Sequence, residues 1–404
     1  MEDRDKGQPT EDGGSMTGEE LKGYEKELVR LRRHLHQHPE FSMQEVETSR
    51  FIEEYLKQLG IPCRIVGETG VIGTLYRNQK TQQSCERPRM IAVRAEIDAL
   101  PVTEETGLPF ASADEGKMNA CGHDAITADV LCLAKVLAEH REEMKYDVRF
   151  LFEPAEETGE GARYLIANGA LKQPEPEAVL VFHYGNQETR AMEIQKSVST
   201  AAVGGIRIHI KGKASHWSQR REGVDAIYAS SRLVCAIHEI NENFQTQHPF
   251  VLGFGLLHAG KSGNIMADEA ELTGSLRAFT EQDFAAVFEK LQQSASFVEQ
   301  ETGVSIRIEL TKKIPPIIND PALVLKGERI GREMFGEKYY SGEVPFLVGD
   351  NAAFYMEKIP GMRAVFLAGK EGEEAYPVHH SRFDIDESVM MDALEFLVRF
   401  VTEE

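Results

Sequence analysis

Apolar residues recur at steps of three and four through Leu21, Tyr24, Leu28, Leu31 and Leu35, the repeat of one amphipathic helix. Thr17 and Glu20 stand ahead of it at capping-box spacing, and Pro39 marks where it should stop. A second helix is expected over about 43–59, ended by Gly60 in a left-handed conformation. Strand-like runs follow at 70–76 and 90–95. The pattern then alternates: helix 127–140, strand 147–152, helix 162–168, strand 178–182. Alternation of this kind predicts an α/β layer with a largely parallel sheet, whose active site lies at the carboxyl ends of its strands.

From about Ala202 the texture changes. Strand 205–211, helix 224–242, strands 250–257 and 269–279, helix 281–302 and strand 304–310 form a strand, helix, two strands, helix, strand unit. That order is the ferredoxin-like α+β pattern, here inserted into the first domain. After Pro315 and Pro316 the chain is expected to return to that domain and to end in a helix over 387–402. Residues 1–16 lack apolar periodicity and are rich in Gly, Asp and Glu, as in a flexible arm. The expected division is an arm at 1–16, a catalytic domain at 17–199 and 312–404, and an inserted domain at 200–311. No internal repeat is evident.

Composition narrows the function classes. With 404 residues, 41% hydrophobic and 27% charged, the chain can bury two ordinary cores as a soluble globular protein. No run approaches the roughly 20 apolar residues needed to cross a bilayer, so no membrane partner is expected. The start is acidic and polar where a secretory signal needs a basic patch and an apolar run, which predicts the cytoplasm. Five cysteines are an odd number over a long chain, so each reads as a thiol. A net charge of −21 argues against a nucleic-acid partner, which needs clustered Lys and Arg.

Candidate chemistry concentrates in four places. The strand in AVRAEIDALP leads into Glu96 and Asp98, an acidic pair that alone reads as a solvated turn. In NACGHDAITADV, Cys121 and His123 flank a glycine in a loop ahead of a helix and could face one cation. In VRFLFEPAEETGEGA a strand delivers Glu156 and Glu157, neighbours that point apart, so that one can bind metal while the other moves a proton. His183 follows the strand AVLVF, and of His379 and His380 in YPVHHSRFDIDE only one need act. Each motif alone has a bland reading. Together, one thiolate, three imidazoles and a metal-binding Glu with a second Glu beside it are the donors of a two-cation hydrolytic centre.

Seven segments in order, RRHLHQHPEFSMQE, RAEIDALPVTEETGLPFAS, ACGHD, PAEETGEGARYLIANGAL, GKASHWS, NIMADEAELTGSLRAF and HHSRFDIDE, make the chain resemble the amidohydrolases of N-acyl and peptidyl amino acids. That family includes aminoacylases, hippurate hydrolases and auxin-conjugate hydrolases, and is related to di-metal carboxypeptidases. The resemblance runs from about Glu20 to the C-terminus. It implies a di-metal exopeptidase-like catalytic domain with a mixed, largely parallel sheet, and an α+β lid. It implies two divalent ions, manganese or zinc, held by Cys121, His123, Glu157, His183 and His379, with Cys121 bridging. Glu156 would be the general base on a metal-bound water, and Asp98 the carboxylate that orients a histidine ligand. The lid would bring His216 to the reacting carbonyl, while Asn264 and Arg277 would hold the substrate's carboxylate. Lid closure would hinge near Thr200 and Lys312. Some relatives pair lid sheets edge to edge, so a homodimer through the lid belongs to the same expectation.

The chain departs from the family pattern at Ile126, where relatives usually have His, and at Gln219, Arg220 and Arg221, where Pro-His is usual. Asp350-Asn351 replaces Glu-Asp, Glu96 replaces Asp and Glu153 replaces Gln. None removes a ligand or the base, so catalysis is still expected, with a selectivity shifted toward a polar acyl group or side chain. Two other readings compete: a dipeptidase or carboxypeptidase on the same scaffold, and a non-catalytic metal-dependent binding protein. The pair Glu156 and Glu157 argues against the second, because a binder needs no spare base.

Overall fold

The computed structural model describes residue 16 and residues 18–78 and 89–403. In chain order the elements are α1 (Gly18–Leu21), α2 (Glu25–Gln37), α3 (Val46–Gln58), β1 (Cys63–Ile65), β2 (Val71–Leu75), β3 (Met90–Glu96), α4 (His123–Glu139), β4 (Asp147–Glu153) and α5 (Gly161–Ala167). There follow β5 (Ala178–Gly185), β6 (Ala191–Gln195), β7 (Ala202–Lys211), α6 (Ala226–Asn243), β8 (Phe250–Ala259), β9 (Glu269–Ala278), α7 (Glu281–Thr302) and β10 (Ser305–Ile314). The last are α8 (Pro321–Phe335), β11 (Tyr339–Gly342), α9 (Ala353–Met356), β12 (Gly361–Leu367) and α10 (Val389–Thr402). The chain divides into two compact units, one of residues 1–194, 320–342 and 355–404, the other of residues 195–319 and 343–354.

The first unit holds an eight-stranded sheet in the order β1-β2-β4-β3-β5-β12-β6-β11. Its middle, β4-β3-β5-β12, is parallel. Antiparallel pairs flank it, β1 with β2, β2 with β4 and β12 with β6. Every residue of β3 and β4 is buried, as expected of parallel strands covered on both faces. Helix α4 is buried on almost all sides because it packs against β3 as well as α2 and α10. The mixed α/β architecture with a mainly parallel centre is the one expected from the alternating pattern.

The second unit has a four-stranded antiparallel sheet in the order β10-β7-β9-β8. Along β7 the even positions Ile206, Ile208 and Ile210 are buried with Leu233 and Ile237 of α6 and Leu291 of α7, the two-residue period of a sheet with one covered face. Its strand and helix sequence is the ferredoxin-like unit predicted.

Several local expectations need correction. The single N-terminal helix is interrupted at Lys22–Tyr24 by a 3-10 turn, in which Gly23 is a poor helix former. His183 lies inside β5, which continues to Gly185 because it pairs in parallel with β12 as far as Leu367. His123 is the first residue of α4, one turn earlier than the apolar period alone suggested. The expected arm falls outside the described residues except for Met16, which is buried in the first core; the expected cap Thr17 also lies outside them.

Candidate metal centre

The ends of three parallel strands carry acidic or imidazole groups in the first unit. β3 leads into Asp98, and the Ile97 N–H donates to the Glu153 carbonyl at 3.0 Å, tying this end to that of β4. Beyond β4 come Glu156 and Glu157. Between β3 and β4 the chain turns at Gly122, φ 83°, a left-handed conformation that lets Cys121 and His123 face one point. His379 arrives from the loop before α10, held at φ 70° by its N–H donating to the Ala120 carbonyl at 2.7 Å.

One donor atom each from Cys121, His123 and His183 lie within 4.8 Å of one another. The same holds for Cys121, Glu157 and His379, and for His123, Glu156 and Glu157. Cys121, His123 and Glu157 each belong to two of these groups, so the six residues form one cluster that could hold more than one cation. The Cys121 Sγ is 3.6 Å from His183 Nε2, and His379 Nε2 is 3.3 Å from Glu157 Oε1.

The ring orientations follow from what lies behind them. His123 Nδ1 donates to the Asp98 carbonyl at 2.8 Å, with Asp98 Oδ1 at 3.3 Å. His183 Nδ1 donates to the Tyr184 carbonyl at 2.8 Å. A carbonyl oxygen can only accept, so both rings carry the proton on Nδ1 and turn Nε2 to the cluster. The neighbouring His380 instead stacks on Tyr376, ring centres 4.7 Å apart.

The electrostatics suit a cation. Burial pushes the Cys121 thiol up. Burial alone would lower His123, but the Cys121 sulfur and Asp98 outweigh it and hold it well above its ordinary value. Hydrogen bonds with Cys121 and Glu157 raise His379 to about 10. Burial works against the Glu157 carboxylate, yet His379 and His123 hold it below the usual range. The cluster therefore draws positive charge, and its sulfur, nitrogen and carboxylate donors suit divalent metal ions.

Two supports, Arg32 and His36, are not evident from the sequence pattern alone. Arg32, 2% exposed, reaches Asp124 at 3.3 Å and Asp384 at 2.6 Å. His36, 1% exposed, lies between Asp124 at 2.8 Å and Glu104 at 3.2 Å. Both act on the residue that follows His123. Their spacing on α2, four apart on one face, was the available signal.

His216, Asn264 and Arg277 belong to the second unit. His216 precedes a 3-10 turn, and its Nδ1 accepts from the Ser218 hydroxyl at 2.8 Å. An antiparallel bridge from His216 to Ile265 sets Asn264 nearby, where it accepts from Ser262 at 2.7 Å. Arg277 lies on β9 opposite Val203 and Val251.

Residues 92–403 match the model of peptidase family M20/M25/M40. Two deacetylases from Bacillus subtilis strain 168 are similar along nearly the whole chain. An N-acetyl-L-cysteine deacetylase is 34% identical, covering 93% of this chain and 88% of the relative. An N-acetylcysteine deacetylase is 31% identical, covering 93% and 96%. Among solved structures, a dinuclear metal-binding peptidase of family M20 from Bacillus subtilis superposes with a TM-score of 0.78 at 29% identity, over 94% of this chain and 98% of that one. A protein from methicillin-resistant Staphylococcus aureus reaches a TM-score of 0.87, also at 29% identity, over 95% and 98%. By this match, spanning both units and the whole donor cluster, the chain belongs to peptidase family M20/M25/M40 and is a metal-dependent hydrolase.

Proposed function

We propose that the protein hydrolyses the amide bond of N-acyl amino acids, using two divalent metal ions, manganese or zinc, held by Cys121, His123, Glu157, His183 and His379. The observation that supports this most is the single cluster in which three donors are each shared between two groups and Glu156 stands beside Glu157. The dinuclear character given for the Bacillus subtilis structure supports two ions. Two deacetylases among the relatives support a small acyl group.

Bound there, the ions would polarise the scissile carbonyl and the attacking water. Glu156 takes the proton of that water and passes it to the departing amine nitrogen. Asp98 holds His123 Nδ1 so that Nε2 faces the donors. His216 donates to the carbonyl oxygen as charge develops on it, and Asn264 and Arg277 bind the substrate carboxylate, for which the Arg fork gives two hydrogen bonds. The exposed Arg220 and Arg221, one turn after His216, favour a polar acyl group or side chain.

A dipeptidase is the second reading, favoured by the peptidase description of the neighbour; it would demand a free amino terminus. A homodimer through the second unit is supported by Val251, Leu256 and Leu257, exposed on the edge strand β8. Free thiols at Cys63, Cys121, Cys132 and Cys235 favour the cytoplasm; Cys85 lies outside the described residues.

The test is amide hydrolysis of a library of N-acyl amino acids and dipeptides by metal-stripped protein resupplied with manganese or zinc. Metal-dependent release of amino acid, reduced about 10²–10⁴-fold in Glu156→Gln, is expected. Silence across the library with two ions bound would overturn the reading.

A further inference from the structure

Residues 40–45, EFSMQE, join α2 to α3 and form no element beyond a bridge from Phe41 to Ala99. Their polar groups nevertheless reach the two loops that carry the acidic groups of the centre. The Ala99 N–H donates to the Glu40 carbonyl at 2.8 Å. The Ser42 hydroxyl donates to Asp98 Oδ2 at 2.7 Å, the oxygen that also accepts the Glu157 N–H at 3.0 Å. Glu45, 0% exposed, accepts the Ala155 N–H through Oε1 at 2.8 Å.

Ala155 is where this contact matters. It stands at φ 52°, a left-handed conformation that a side chain with a Cβ rarely adopts and that the surroundings must impose. The next two residues are Glu156 and Glu157. The loop is closed tightly behind them: the Ala155 carbonyl accepts the N–H groups of Glu160 and Gly161, each at 3.2 Å. A Cβ at Gly161 would lie 1.6 Å from the Pro154 carbonyl oxygen, so there is no slack to absorb a rotation at Ala155. Turning that peptide would turn both carboxylates.

We propose that Glu45 is a positioning residue: its buried carboxylate pins Ala155 in the left-handed conformation, and so directs Glu156 toward the reacting water and Glu157 toward the metal donors. Ser42 does the corresponding task for Asp98. This rests on the roles given above to Glu156 and Glu157. A buried carboxyl is a costly way to hold one amide; burial pushes Glu45 up to about 7, so the group is retained against its own solvation.

The experiment uses the full chain and two readouts, kcat and KM for the best substrate of the library and the dissociation constant for manganese by competition with a chelating dye. Glu45→Ala should lower kcat at least about tenfold with KM within about twofold, and weaken manganese binding by about tenfold, the size seen when a group behind metal ligands is lost. Glu45→Gln, whose amide oxygen can still accept from Ala155, should stay within about threefold of wild type on both readouts. Adding Ala155→Gly to Glu45→Ala should recover several-fold, since glycine adopts the left-handed conformation without the steric cost of a Cβ. If Glu45→Ala does not fold, Glu45→Asp withdraws the acceptor by one methylene and should show the same loss and the same rescue. Unchanged kcat and manganese affinity with only a lower melting temperature, or no rescue by Ala155→Gly, would overturn the proposal. The manganese arm needs no substrate, so an inactive wild-type enzyme would count against the proposed reaction while leaving this inference open to the binding result.

Discussion

In the first unit Arg32, His36, Arg94, Glu96, Asp98, His123, Asp124 and Glu153 are each 3% exposed or less. The second unit instead fills the space between sheet and helices with Ile206, Ile208, Ile210, Leu233, Leu272 and Leu276, and ion pairs such as Arg232 with Glu301 lie on its surface. Burying a charge is costly unless a partner is well placed, and in the first unit partners are. Arg94 meets Glu153 through two hydrogen bonds at 3.0 Å and also reaches Glu96. These pairs sit at the ends of β3 and β4, the strands that lead to Asp98 and to Glu156 and Glu157. Such pairs add little net stability over apolar packing, but they tolerate few alternative positions. The first unit concentrates its buried charge around the donor cluster, whereas the core of the second is mainly aliphatic, with Asp283 among its few buried charges.

That contrast can be broken experimentally. The largest effect is expected from Arg94→Met, which leaves Glu96 and Glu153 buried without their cation and should destabilise the first unit by about 3–5 kcal/mol; Arg232→Met on the surface of the second should leave its urea midpoint nearly unchanged. Equal losses in urea unfolding would erase the distinction. Leu272→Ala, at 0% exposed in the second core, should cost about 2–5 kcal/mol and leave manganese affinity unchanged; a weakened metal site would show that the apolar unit also sets direction.

A pH series sharpens the comparison further. Burial would lower His36, but the charge of Asp124 and hydrogen bonds to Asp124 and Glu104 raise it from 6.5 to about 9. Its contribution is therefore complete below pH 6.5 and is lost as pH rises through 9. On the order of 3 kcal/mol should disappear from the metal-free first unit across that window, and His36→Gln should flatten the profile. The smallest effect is expected at the β8 edge, where Val251→Lys should change unfolding by under about 0.5 kcal/mol yet shift any dimer toward monomer in sedimentation.

How much of this could be read from the chain depended on whether the deciding contacts were local. The bounds of α7 matched expectation because Thr280 caps the Asp283 N–H at its start and Gly303, φ 79°, ends it. The short strands β6 and β11 were not anticipated; they owe their existence to places at one margin of the sheet, a long-range fact that no periodicity records. The donors were visible because cysteine, histidine and paired glutamates are rare in loops after apolar runs, and all six come together. Glu45 was invisible as a support: nothing near it in sequence says that its carboxylate meets Ala155, a contact across more than a hundred residues.

The order of the donors along the chain has a consequence for how the protein is made. Cys121, His123, Glu157 and His183 precede the second unit, while His379 and the central strand β12 come after it. During synthesis the second unit can therefore complete its own core while the first still lacks a sheet strand, one imidazole and helix α10. An ion met at that stage finds an incomplete ring of donors. With the donor set proposed above, metal loading would be completed late in the life of a new chain, and the inserted unit would act as a delay built into the gene between the first donors and the last.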